Sequence, residues 1–151
     1  MLTNLQYTGD VAVYGLKNRK KIKLVEKHNA GTQNLFKYFA QCLAGVNVQA
    51  YMPSKVAVSV TKDNETTQIA IMPITGIAYR QRGGTWETTL TVTFPYNEAY
   101  ANEASLSLSL QNPIDEELAT LDIGAVTISS GMELLVNWIM YVENAPKEVT
   151  K

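Results

Sequence analysis

Almost every run of this chain alternates apolar and polar residues with a period of two, and one segment breaks that rhythm. In residues 32–44, TQNLFKYFAQCLA, the apolar side chains Leu35, Phe36, Phe39, Ala40 and Leu43 recur at helical spacing and form one stripe. Thr32 is placed as N-cap, its hydroxyl able to accept from an amide about one turn on. Gly45 stands where a left-handed residue would end the helix. Gln33, Asn34, Lys37 and Gln41 occupy the other faces, so the helix is expected to lie on a sheet rather than be enclosed.

The remainder reads as short strands joined by polar turns. Residues 10–16 and 21–27 form an N-terminal hairpin through the turn Lys17-Asn18-Arg19-Lys20. In the second of these strands Ile22, Leu24 and Glu26 share one face, and Lys21, Lys23, Val25 and Lys27 the other. Residues 55–61 alternate Val56, Val58 and Val60 against Ala57, Ser59 and Thr61, and the turn Lys62-Asp63-Asn64-Glu65 leads into residues 67–72. Pro73 interrupts the run, residues 74–80 resume it, and Gly83-Gly84 is a turn. Residues 86–94, WETTLTVTF, place Trp86, Thr88, Leu90, Val92 and Phe94 on one face, and ASLSLSLQ at 104–111 sets three leucines against serines. Residues 112–117 form an acidic turn, and 118–123 and 125–128 are short strands around Gly124. Residues 132–142 fit helix or strand, and the alternation of Leu134, Val136, Trp138, Met140 and Val142 favours a central strand packed on both sides.

The fold expected is therefore mainly β: an antiparallel sandwich or barrel-like domain with one helix, at about 32–44, packed on a sheet. One domain spans 1–151, a length sufficient to bury a real core, with a frayed polar tail at about 144–151.

Charged residues make up 18% of the chain, below the usual quarter or so of soluble domains. Either neighbouring subunits cover part of the surface, or Thr, Ser, Asn and Gln solvate the outer strand faces. Residues 1–86 carry 11 basic and 4 acidic side chains, a balance of +7, and residues 87–151 carry 2 and 10, a balance of −8. Such halves can complement each other within the fold or between copies, and the acidic half argues against direct nucleic-acid binding. Cys42 is the only cysteine, so no intramolecular disulfide forms. No apolar run of about 18 residues exists to span a membrane, and the N-terminus lacks the pattern of a signal peptide.

No catalytic constellation stands out. His28, the only histidine, has no serine or cysteine nucleophile context and reads as a polar residue between strand and helix. One histidine and one cysteine fall short of a zinc site, and the run Asp115-Glu116-Glu117 lacks a calcium loop's spacing. Neither a metal nor a cofactor is expected, and no enzyme activity. The cations Lys17, Arg19, Lys20, Lys21 and Lys23 form a candidate interface on the hairpin. Tyr51, Tyr96 and Tyr100 are candidate contacts in loops. Trp86 and Trp138 suit a sugar-stacking platform or a core, and their place on alternating strand faces favours the core.

The hairpin, the block HNAGTQNLFKYFAQCLAG (residues 28–45) and the late strand LLVNWIMYVEN (residues 134–144) together resemble small virion structural proteins of tailed bacteriophages. That resemblance implies a non-catalytic β-sandwich building block located in the virion and made in the host cytoplasm. It would be a capsid accessory or decoration protein or the base of a head fibre, assembling with copies of itself and other particle proteins. The alternative is a tail component or a module that binds a host receptor or carbohydrate.

Overall fold

A computed structural model describes residues 3–29, 31–101 and 105–146. Within them lie nine strands and one α-helix: β1 (Thr3–Lys17), β2 (Lys20–Asn29), α1 (Gln33–Leu43), β3 (Lys55–Lys62), β4 (Glu65–Pro73), β5 (Gly76–Arg82), β6 (Thr85–Phe94), β7 (Ser105–Gln111), β8 (Glu117–Ala125) and β9 (Glu133–Pro146). A short 3₁₀ turn, Glu98–Ala101, precedes β7. The strands form two antiparallel sheets, one of five strands in the order β2-β1-β9-β6-β5 and one of four in the order β4-β3-β7-β8. The expected β-sandwich-like architecture is the one observed.

The core lies between the sheets. The larger sheet contributes Val11, Val13, Leu90, Val92, Phe94, Leu134, Val136 and Trp138, and the smaller one Val56, Val58, Leu106, Leu108, Leu110 and Ile123. Of residues 132–142 all but Met132 form strand, and β9 is central in its sheet, bonded to β1 on one side and β6 on the other. β9 continues to Pro146, paired with Thr3 of β1, and so runs into the tail expected at about 144–151, of which residues 147–151 lie outside the described residues.

The two hairpin turns are closed by pairs of residues at positive φ, three of the four being Asn or Asp, which tolerate it. Asn18 and Arg19 (φ 52° and 62°) close the first hairpin, and Asp63 and Asn64 (53° and 64°) close the β3–β4 hairpin. Three expectations are corrected. In β2, a bulge leaves Leu24 unpaired between Lys23 and Val25, so Leu24 and Val25 both pack on the core while Ile22 and Glu26 are exposed. The two short strands expected around Gly124 form a single strand, β8, which passes through that glycine at φ 71°. In β6, Leu90, Val92 and Phe94 are buried, but Trp86 on the same face, near the strand end beside the Gly83-Gly84 turn, is half exposed.

The helix is also rotated from its expected stripe. Leu35 is fully buried and Tyr38 and Phe39 pack against the core, whereas Phe36 is 46% and Leu43 81% exposed. The cause is where α1 is anchored. Its N-terminus is tied to β8, the Thr32 backbone N–H and hydroxyl both donating to β8 carbonyls, and Leu35, Tyr38 and Phe39 are the side chains turned inward. Gly31 allows that approach, since a Cβ there would run into Leu35. Gly45, at φ 72°, ends the helix as expected, with Gly45 N–H donating to Cys42 and Val46 N–H to Gln41.

Candidate assembly surfaces

The β1–β2 hairpin projects Lys17, Arg19, Lys20, Lys21 and Lys23 into solvent. All five sit on or beside an edge, because β2 is the outermost strand of the five-stranded sheet. Tyr14 and Leu16 lie opposite Lys23 and Lys21, which places both lysines on the outer face of that sheet. The Lys21 ammonium stands 4.2 Å from the Tyr14 ring centroid, a cation–π arrangement. Lys23 pairs with Glu26, and that hydrogen bond raises the lysine pKa. Lys17, Arg19, Lys20 and Lys21 meet no carboxylate among the described residues.

Most other cations are satisfied inside the fold, and their partners account for the opposed charge of the two halves. Lys37 on α1 bonds Glu116 at 2.9 Å, Lys55 on β3 pairs with Asp115, and Arg80 on β5 bonds Glu87 on β6 at 2.6 Å. Each of these joins the basic first half to the acidic second half. Part of the charge split is therefore intramolecular complementarity, leaving the hairpin tip as a cationic cluster without a carboxylate partner among the described residues.

The acidic turn disperses its carboxylates. Asp115 meets Lys55, Glu116 meets Lys37 and Asn112, and Glu117 accepts from the Ser109 hydroxyl at 2.7 Å. Lys37 and Asn112 hold the Glu116 carboxyl below its usual range. Asn112, fully buried, organises this turn: its side-chain oxygen accepts from the backbone N–H of Ile114 and Glu116. Sequence reading missed that role, although an Asn at the start of a tight turn is the usual signal for it. His28 belongs to β2 rather than to a connection, and its ring pairs with Asp10, its partner across the ladder. Among the described residues no group of three His, Cys, Asp or Glu side chains is gathered as a metal site would need. None of their helices is long and apolar enough to cross a membrane.

The three tyrosines do not act as a set. Tyr51 is half-buried beneath Lys37, whose ammonium is 5.3 Å from the ring. Tyr96 is half-buried and meets Tyr100 edge-on at 6.5 Å. Tyr100 itself is only 2% exposed, and burial pushes its hydroxyl pKa up to about 12. It is a core residue of the 3₁₀ turn and offers no surface for a ligand, because its ring fills space that the loop would otherwise leave empty.

The aromatic surface lies elsewhere. Trp138 is fully buried, as its strand face predicts, but Trp86 is 50% exposed and faces Tyr79 of β5 with ring centroids 6.3 Å apart. Ile77 is exposed beside them, so an apolar strip follows the β5 edge, which pairs with no further strand among the described residues. Period-two alternation shows which residues share a face, but not which strand ends up at an edge, and this strip was not legible in advance. Compared with protein-family models, curated proteins and solved structures, the chain matches none.

Proposed function

We propose that this chain is a structural, non-catalytic virion protein of a tailed bacteriophage, assembling with copies of itself and other particle proteins as a capsid accessory or fibre base. The observation that carries the reading is the unneutralised cationic tip, Lys17, Arg19, Lys20 and Lys21, on an edge strand of a fold that pairs most of its other cations internally. Charge left without a partner on an exposed edge favours recognition of an acidic neighbour and suppresses indiscriminate strand pairing. The sandwich itself supplies broad sheet faces held by a continuous core, the mechanical property a building block requires. Sedimentation of the purified chain at micromolar concentration tests this. A discrete oligomer or ordered array supports it, and a monomer that also fails to join particles overturns it.

A second reading is favoured by one observation, the exposed Tyr79–Trp86 pair. Adjacent aromatic faces in solvent suit stacking on a sugar ring. On this reading the chain is a tail or receptor-binding module. Titration with an oligosaccharide panel, followed by tryptophan fluorescence, separates the two.

A further inference from the structure

The two sheets have four edge strands, β2 and β5 in one and β4 and β8 in the other. Three of them are blunted in ways that prevent pairing with another chain. β2 carries the lysine series and the bulge at Leu24. β4 carries a bulge opposite Val58 and Ser59 and ends at Pro73. β8 is twice irregular against β7, and its outer side is occupied by Thr32, Asn34 and Lys27, all donating to its carbonyls. β5 differs. Its ladder to β6 runs without irregularity from Gly76 to Arg82, it contains no proline, and its apolar side chains Ile77 and Tyr79 are 60% and 76% exposed.

We propose that β5 is a docking edge for a second copy of this chain, pairing antiparallel with its own counterpart across a two-fold axis at Tyr79. The inference deepens the assembly reading above, on which it rests, by naming the surface. Antiparallel ladders alternate pairs that exchange backbone hydrogen bonds with pairs that do not. Counted from the Arg82–Thr85 pair beside the Gly83-Gly84 turn, Arg82, Arg80 and Ala78 bond inward to β6. Ile77, Tyr79 and Gln81 then direct their N–H and C=O groups outward. Tyr79 is the midpoint both of those three residues and of the whole strand, so full overlap of two β5 strands brings outward groups face to face. Tyr79 meets Tyr79, and Ile77 meets Gln81, for about six new backbone bonds.

Side chains and charge agree with that register. The Ile77, Tyr79 and Trp86 strips of the two copies join into one apolar surface across the axis, an isologous contact that closes as a dimer. Arg80 would otherwise face its own counterpart diagonally across the axis. Its guanidinium is held by Glu87, a carboxylate only 9% exposed that also lies 3.8 Å from Arg82, so the repulsion across the axis is reduced within each chain.

The test uses the full chain with Cys42→Ser, which removes the exposed thiol. Tyr79→Cys in that background should oxidise to a single disulfide-linked dimer, because the two positions fall opposite each other within disulfide reach. Arg80→Cys, opposite Ala78 in this register, should not. Tyr79→Pro removes an outward donor at a place an edge strand tolerates, and Tyr79→Lys adds a repelling charge. Each should weaken dimerisation at least about tenfold in sedimentation with the melting curve retained, whereas Tyr79→Thr, which keeps the backbone edge, should weaken it less. Oligomers that persist unchanged in the proline and lysine variants, with no cross-link at position 79, overturn this edge and leave the assembly reading standing. A native chain that stays monomeric to roughly 100 µM overturns the β5 edge, and one that also fails to join particles overturns the assembly reading as well. Trp86 fluorescence that responds to oligosaccharide and not to protein concentration assigns the strip to a sugar instead.

Discussion

The Thr32 hydroxyl donates to the Glu117 carbonyl oxygen at 2.6 Å, fixing the start of α1 to the outer side of β8. The Thr32 backbone N–H reinforces the attachment at Leu118, 2.8 Å away. Glu117 and Leu118 open β8 immediately after the acidic turn, so helix, turn and sheet edge meet at this point. The same contacts cover part of an edge that would otherwise be free to pair.

Replacing that hydroxyl tests its weight. Thr32→Val keeps the shape and deletes the donor, leaving a strand carbonyl without its shortest partner. The expected loss is about 1 kcal/mol in urea unfolding, with faster hydrogen exchange in α1 and β8. Thr32→Ser should retain most of the stability. Equal melting of native and valine forms would show that the backbone N–H alone holds the helix.

A second prediction ranks the apolar residues of α1. Leu35 is fully buried and Leu43 is 81% exposed, although both fit one helical stripe in the sequence. Leu35→Ala should cost about 2–5 kcal/mol, Leu43→Ala less than about 0.5 kcal/mol, and Phe39→Ala an intermediate amount. Denaturant titration of the three variants checks the order, and comparable losses at 35 and 43 would contradict the docking geometry.

Those two residues also show what the sequence carries and what it does not. Strand positions, hairpin turns and the helix were legible because each rests on local chemistry: alternation, positive-φ residues and a glycine stop. The direction a helix leans was not, since Thr32 reads as a cap by its neighbours in sequence and acts as an anchor to residues 85 and 86 positions away. Bulges are equally invisible, and the one at Leu24 turns Val25 from the lysine face to the core. For the candidate surfaces, the exposed cations could be placed on the hairpin by composition alone. Tyr100 and Trp86 exchanged their expected environments, because local sequence shows neither what packs over a loop nor what covers the end of a strand.

The third prediction concerns alkaline pH. Tyr100 is buried, and its hydroxyl has no hydrogen-bond partner among the described residues. Desolvation raises its folded-state pKa to about 12, above the ordinary value near 10. A raised folded value means that the residue's contribution is whole below about pH 10 and is lost as pH climbs through the folded value, because the unfolded chain releases the proton first. Tyr100→Phe should therefore flatten the fall in stability on that alkaline limb. At neutral pH it should be neutral or stabilising by about 1 kcal/mol, since it removes a buried hydroxyl without a partner. Identical alkaline limbs in the two proteins would place the sensitivity elsewhere.

The last prediction bears on assembly. Arg19, Lys20 and Lys21 are exposed and none of them meets a carboxylate among the described residues, so replacing all three by Ser should cost the fold no more than the Lys21–Tyr14 contact, about 0.5–1 kcal/mol. If the hairpin docks on an acidic surface of a neighbouring subunit, the triple variant loses that attraction, and the loss is largest where charges are least screened. The difference from the native chain should be clear at about 50 mM salt and shrink toward zero near 1 M, where the Debye length falls to about 3 Å. Light scattering of both proteins across that range reads the effect. A variant that assembles as the native chain does at low salt would remove the hairpin from the interface. The β5 edge would then stand as the remaining contact between copies, an isologous one that closes as a dimer and does not propagate further.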